Sequence, residues 1–305
     1  MKNNLLTLNN ITNIFFFFHT YKTMIILLRG HIRNSFDNPK LYNTILCLSK
    51  LYDIEIYIHT WHIVQSTISW RRLKENNTLV TTEIINDYFK ELSQFIKHII
   101  IDDDSQIKLV GHTDGIIIET QLVGWKNMWY GKFHMIKYIQ NLYKSQQQSL
   151  KNTSLVINMR FDVFCNSNFF AFNNVMQFIH NIAQYKQNNN TNLNRNIFMK
   201  NIPSCYGIDN IYIGNIFTMY KLSYHFHYHL DHILNIYAYN PKIKAQEALV
   251  ILENRRIFSG EFFHPNYKRT YVPSIYGKNT GIGLTYHVAE QKSHLQRNIL
   301  SSTIT

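Results

Sequence analysis

Cysteine is scarce in this sequence: Cys47, Cys165 and Cys205 are the only three in 305 residues. Three scattered thiols cannot build a disulfide framework, so a reducing, cytoplasmic setting is the expectation. Proline (5) and glycine (11) are sparse as well and never gather into a linker, so the composition demands no domain boundary. Apolar runs are short, and none approaches the ~20 residues that span a bilayer, so no transmembrane segment is expected. The longest aromatic run, Ile14 to Phe18, lacks a strong basic lead and a small-residue cleavage site, and no secretory signal is expected there. Acidic residues are outnumbered, 19 against 31 lysines and arginines, for a formal charge of +12. That excess favours an anionic partner: nucleic acid, a lipid surface or a phosphorylated ligand. The basic residues are dispersed, however, with short clusters at Arg71-Arg72 and Arg255-Arg256 and no RNP-like motif, so nucleic acid is not the expected partner.

What is present is a globular balance, 45% hydrophobic and 16% charged, in a chain long enough to bury a sizeable core. Residues 1–23 read as a poorly ordered extension, 24–260 as the principal domain, and 261–305 as a C-terminal segment packed on it. Ile25 to Leu28 predicts a buried strand, followed by a turn at Arg29-Gly30-His31-Ile32-Arg33. Asp37-Asn38-Pro39 is a helix start, with a cap and an early proline, and Leu41, Ile45 and Leu48 recur at helical spacing to about Leu51. "DIEIYIHTW" then alternates as a strand. Strand, helix and strand in some forty residues make a βαβ unit with parallel strands.

Residues 62–100 carry helical periodicity through Ile84, Ile85, Tyr88, Phe89, Leu92, Phe95 and Ile96. "DGIIIET" suggests a strand, Met128 to Leu142 a helix, "YKQNNNTNLNRN" (185–196) a polar loop, "GIDNIYIGN" a strand, and "QEALVILENRR" a short helix. The implied fold is α/β, with a Rossmann-like, mostly parallel sheet flanked by helices.

"LVINMRFDVF" (155–164) sets polar Asn158, Arg160 and Asp162 against apolar neighbours. Alternation places the three on one face of a strand. One reading is a half-exposed antiparallel strand with a weak surface ion pair. The other is a strand ending in a phosphate or metal site.

Three polar groups sit at the ends of apolar strands: Gly30 with Arg33; His59, Thr60 and Trp61; and Arg160 with Asp162. Ligands of open α/β sheets bind beyond the carboxyl ends of the strands. Gly30 would let a backbone approach a ligand, Arg33 could pair with phosphate, and Trp61 could stack on a base or sugar. Asp162 could hold Mg²⁺ or Mn²⁺, which take one or two carboxylates plus substrate phosphate oxygens. The bland alternatives are a core tryptophan and a satisfied surface histidine. "HFHYHLDH" (225–232) has two histidines four apart, but no cysteine or glutamate beside them completes a zinc set.

Taken in order, "RGHIRNSF", "IYIHTW", "VINMRFDVF" and "DNIYIGN" followed by Met219 resemble a family of bacterial and viral glycosyltransferase-like proteins. That family is linked to polysaccharide or lipopolysaccharide synthesis and commonly reads Gly-x-x-Arg, hydrophobic-Thr-Trp, Arg-x-Asp and Asp-x-h-h-h-Gly. The resemblance covers about residues 24–255. It implies a glycosyltransferase A-type fold, a nucleotide-sugar donor and a glycan or other acceptor. Asp162 then corresponds to the metal-binding Asp-x-Asp, with Arg160 in place of the first acid; one carboxylate holds a divalent ion less firmly than two. His31 departs from the commoner glutamine. Donor contacts would come from Gly30, Arg33, His59, Thr60, Trp61 and Arg160, metal from Asp162, and acceptor-side carboxylates from Asp209 and Glu247. The competing reading is a non-catalytic basic module that binds nucleic acid or a host surface on a decayed transferase scaffold.

Overall fold

All six side chains of Met24–Arg29, strand β1, are buried in the computed structural model, which describes residues 23–68, 74–117, 120–146, 154–189, 193–199, 207–237 and 246–259. The expected boundaries at residues 1–23 and 261–305 lie outside the described residues except for Thr23. Helix α1 (Pro39–Leu51) starts where the sequence indicates: the Asn38 side chain accepts from the Lys40 amide (3.0 Å), and Pro39 takes the first helical position, where its missing N–H costs nothing. Strand β2 (Ile54–Trp61) follows and pairs parallel to β1 in the register Met24–Ile54.

The chain continues through a small hairpin, β3 (Ile63–Gln65) and β4 (Asn76–Leu79), helix α2 (Thr82–Phe89) and strand β5 (Ile96–Asp102). Two short pieces, β6 (Ile116–Ile117) and β7 (Thr120–Gln121), pair with each other ahead of the long helix α3 (Leu122–Ser145). Then come β8 (Leu155–Arg160), the single turn α4 (Val163–Asn166), α5 (Phe172–Asn189), β9 (Ile197–Phe198), β10 (Ile211–Gly214), α6 (Ile216–Tyr237) and α7 (Gln246–Ser259).

The six-stranded sheet has the order β5-β2-β1-β8-β10-β9. The first four strands are parallel; β10 runs antiparallel to β8, and β9 antiparallel to β10. The architecture is therefore α/β with a mostly parallel sheet flanked by helices. From β1 the chain steps outward to β2 and β5, then returns to lay β8 on the other side of β1. The order reverses between β1 and β8, and that is where such sheets open a binding crevice.

Both faces of the sheet are covered, as parallel sheets require. On one, Met24, Ile26, Leu28, Ile56, Ile58, Ile157 and Met159 pack with Leu41, Ile45 and Leu48 of α1 and Val175, Phe178, Ile179 and Ile182 of α5. On the other, Ile25, Leu27, Tyr57 and Val156 meet Trp129, Ile136 and Ile139 of α3 and Met219, Leu222 and Phe226 of α6. Helix α3 comes close to β2 at Gly131, where an added Cβ would collide with the His59 ring. Among the described residues no helix is long and apolar enough to cross a membrane.

The structure corrects several sequence expectations. The strand at 155–164 is not a half-exposed antiparallel one: β8 is central, parallel to β1, and ends at Arg160. Asn158 is buried on the Val156 side of the strand, and Asp162 lies past the strand in a turn, so the three polar residues do not share one strand face. The helical periodicity over 62–100 is realised only at 82–89. Lys90 takes φ 49°, a left-handed conformation that ends α2, and a 3₁₀ turn leads into β5. Residues 185–189 belong to helix α5 rather than to a loop.

Candidate functional site

Arg29 and Arg160 are the last residues of β1 and β8 and are direct partners in the parallel register. Two like charges facing each other repel, so the surroundings must supply counter-charge. Arg29 is almost wholly buried; its Nε donates to Asn158 Oδ1 at 2.6 Å and its Nη2 to the Asp209 carbonyl. Burial lowers its pKa to about 10, against the opposing pull of Tyr212 and Asp209. Arg160 makes a two-pronged contact with Asp162, Nε to Oδ1 at 2.7 Å and Nη2 to Oδ2 at 2.9 Å, and its Nη1 reaches Asp209 Oδ2 at 3.3 Å. Burial works against the Arg160 charge, but Asp162 and Asp209 outweigh it and raise its pKa.

The turn after β1 adds a third guanidinium. Gly30 has φ 91° and Arg33 φ 54°, and such conformations are strained for a residue with a side chain. The Thr60 hydroxyl donates to the Gly30 carbonyl (3.0 Å) and the Arg33 amide to the Val64 carbonyl (3.0 Å), which fixes the turn. Arg33 Nη1 then meets Asp162 Oδ2 at 2.5 Å. Nothing lies within 4 Å of where a Gly30 Cβ would be, so the turn borders open space.

The antiparallel direction of β10 brings its amino end, Asp209 and Asn210, to the same rim as the carboxyl ends of β1 and β8. Burial pushes the Asp209 carboxyl up, yet Arg160, Lys132 and Arg29 together hold it below the usual carboxylate range. Glu247, at the start of α7, has the opposite fate. Burial, and then the negative charge of Asp209, push it up to about 7, and its Oε2 is buried without a hydrogen-bond partner. Two neighbouring carboxyls thus have different proton affinities, the pattern that separates a permanent anion from a proton carrier.

Of the residues singled out in the sequence, the structure gathers Gly30, Arg33, Arg160, Asp162, Asp209 and Glu247 around the β1–β8 junction. His59, Thr60 and Trp61 stand behind it. Trp61 is buried, packs edge-on to His59 at 5.1 Å between ring centroids and stacks with Tyr130 at 6.3 Å. His59 Nε2 contacts Asp102 Oδ2 at 3.1 Å, and hydrogen bonding to His59 lowers the Asp102 pKa. His31 is half-buried against the Ile63 carbonyl (3.1 Å), which helps keep the turn in place; desolvation lowers its pKa to about 4. The His225 imidazole contacts Glu253 Oε2 at 2.9 Å, and Arg256 lies on the same carboxylate at 2.8 Å.

Sequence reasoning missed Lys132. Its side chain is fully buried and its Nζ has no hydrogen-bond partner. The ammonium position lies over the Trp129 ring at 3.9 Å and 5.2 Å from the Tyr212 ring centroid. Burial, then the charges of Arg29 and Arg160, lower its pKa well below that of an ordinary lysine. The available signal was position: Lys132 falls on the same helical face as Trp125, Trp129 and Ile136, the stripe that packs on the sheet.

Asp162 was the expected ligand of a divalent cation. Both of its oxygens accept from arginines, and Arg160 also occupies Asp209, so guanidinium groups fill the positions a cation would take. The residues around Asp162 do not fit a metal in this arrangement. Among the described residues, the ligand atoms that converge within 4.8 Å of one another belong to His62, Asp103 and Asp104, just past the ends of β2 and β5.

No protein-family model, curated protein or solved structure matches the chain.

Proposed function

We propose that the protein is a glycosyltransferase that moves a sugar from a nucleotide-sugar donor to a glycan or other acceptor. The observation that carries this reading is the convergence, at the sheet's reversal point, of Arg33 and Arg160 with Glu247, a carboxyl whose pKa is about 7. A nucleoside diphosphate is a poor leaving group until its charge is neutralised, and guanidinium forks do this with two directed hydrogen bonds each. Arg33 and Arg160 take that role. Glu247 accepts the proton of the attacking acceptor hydroxyl as the new bond to the anomeric carbon forms. The bond from that carbon to the diphosphate breaks, and its electron pair leaves with the phosphate. Asp209, ionised and bonded to Arg160, holds the guanidinium in place. Arg29 and Asn158 brace the same rim from below, and Trp61 with Tyr130 supports the β2 side.

The mostly parallel α/β sheet, whose order reverses between β1 and β8, supports a glycosyltransferase A-type fold, and the scarcity of cysteine supports a cytoplasmic setting.

The test is release of nucleoside diphosphate from a panel of nucleotide sugars, with binding followed by calorimetry at 50 and 200 mM salt. A local, partly buried diphosphate contact should survive the higher salt, since charges closer than the Debye length are screened little. Wild-type protein should respond to at least one donor, and Arg33→Ala and Arg160→Ala should not. Binding of RNA or DNA that stays tight at 200 mM salt, with no response to any nucleotide sugar, would overturn the reading in favour of a nucleic-acid module.

A further inference from the structure

Asp162 is the most heavily engaged carboxylate at the rim. Its side chain is 3% exposed, and Arg33 (12%) and Arg160 (21%) hold it from two directions. A carboxylate gripped by two guanidinium groups presents what one edge of a tetrahedral phosphate would: negative charge and a pair of acceptor oxygens facing donor forks. The geometry around it is that of a loaded anion site whose occupant belongs to the chain. Two features show that the occupant is held off its local preference. Asp162 is the N-cap residue of α4, where an aspartate ordinarily bonds the first free amides of the helix, yet its side chain makes no capping bond. Arg33 reaches Asp162 from a left-handed backbone, a conformation a non-glycine residue keeps only when its surroundings impose it.

We propose that Asp162 is an internal stand-in for phosphate, and that a diphosphate ligand binds by exchanging with it on Arg33 and Arg160. This deepens the transferase reading and rests on it for the identity of the ligand, but the exchange itself concerns any diphosphate. On exchange the carboxylate leaves the two guanidiniums and turns toward the Phe164 amide at the head of α4, the Cys165 amide being already bonded to the Asp162 carbonyl at 3.0 Å. The ligand enters through the open space beside Gly30, where no atom stands within 4 Å of the position a Cβ would occupy. Two charge states alternate in one place: protein carboxylate when empty, phosphate when filled. The arginines are therefore never left without an anion, which a pair of neighbouring cations at a largely buried site requires. The exchange also sets selectivity. A ligand must offer more negative charge and more acceptor oxygens than one carboxylate to displace it, so a diphosphate qualifies and a monocarboxylate or chloride does not.

The consequence runs against the usual effect of removing a charged site residue. Asp162→Asn keeps the shape but takes away the competitor, so inorganic pyrophosphate should bind the variant at least tenfold more tightly than wild type in the absence of divalent metal. Arg33→Ala and Arg160→Ala should weaken it, and acetate should compete in neither protein. Calorimetry with pyrophosphate reads these affinities directly, and Asp162→Ser provides a second substitution with the same expected sign. Should either variant be unfolded in plain buffer, pyrophosphate should restore its circular dichroism, because the ligand supplies the missing counter-charge. Equal or weaker pyrophosphate binding by the folded variants, failure of pyrophosphate to rescue unfolded ones, or no pyrophosphate binding by any of the proteins would overturn the exchange. Donor turnover is measured separately, so an inactive protein that shows the inverted affinity keeps the exchange and loses the transferase reading.

Discussion

Arg29 and Arg160 stand opposite each other at the ends of the two central strands, in register and both bonded to residue 209, one at its carbonyl and the other at its carboxylate. A single residue from the antiparallel strand thus ties together two cations that would otherwise repel.

Glu247→Gln should lower activity and raise stability, with both effects governed by pH. In wild type the carboxyl pKa is about 7, so turnover should rise about tenfold per pH unit below that value and level off above it. The variant should lose about 10²–10⁴-fold in turnover, the usual worth of a general base, and lose the rise with pH. The sign for stability follows from proton binding: the folded protein binds this proton more tightly than the unfolded chain, so stability falls as pH climbs from the unfolded pKa to about 7. The glutamine variant should match wild type near pH 4.5 and melt higher at pH 8, as read by thermal denaturation.

Lys132→Met should stabilise the protein. It keeps the length of the side chain and removes a buried amine with no hydrogen-bond partner, a group that costs about 1–3 kcal/mol to bury. Because burial depresses the folded pKa of Lys132, the unfolded chain binds the extra proton at neutral pH, and wild-type stability should rise with pH toward the ordinary lysine pKa. The gain from methionine should therefore be largest at low pH and fade above it, which chemical denaturation at pH 6 and pH 9 would show.

Gly131→Ala should destabilise the fold, by roughly 1–3 kcal/mol as overpacked sites do, because its Cβ would strike the His59 ring. Removing the obstacle should restore part of the loss. In a double-mutant cycle the pair Gly131→Ala with His59→Ala should be less destabilised than the sum of the single changes, the mark of two residues in direct contact.

Arg160→Met should be the most damaging of the changes at the rim. It leaves Asp162 with one of its two arginines and Asp209 without its guanidinium, and breaking a buried pair costs about 3–5 kcal/mol. Combining it with Asp162→Asn should recover part of the melting temperature, since the second change removes a carboxylate that the first left short of positive charge.

Much of this was legible in the sequence because local chemistry and the fold agree. Asn38 and Pro39 announce α1, and the apolar runs before Gly30, Trp61 and Asp162 announce three neighbouring strands. The ends of those strands, with Asp209 and Glu247, supplied the residues the structure gathers. The illegible parts are those where one pattern hides another. Ile96 continues a helical spacing that begins at Ile84, so β5 is concealed until Lys90 is seen to break the turn. Tyr57 and His59 alternate with isoleucines along β2, and that they are covered by α3 is decided only by the long-range packing. Lys132 reads as one more solvated lysine in a lysine-rich chain. Its burial is imposed by aromatic neighbours that share its helix face.

The antiparallel course of β10 also has a bearing on how the molecule comes into being. A ribosome emits β1 and its Arg29 early, β8 and its Arg160 much later, and Asp209 later still, since synthesis runs from the amino end. Until residue 209 has been made, the rim holds its cations with only the Asp162 carboxylate and the Asn158 amide to hold them. The central strands can align before then, but the junction between them stays electrically unfinished. The same residue that orders the rim is thus the last of the groups that bond its arginines to be made, and a chain interrupted before it would hold β1 and β8 without the means to close their rim.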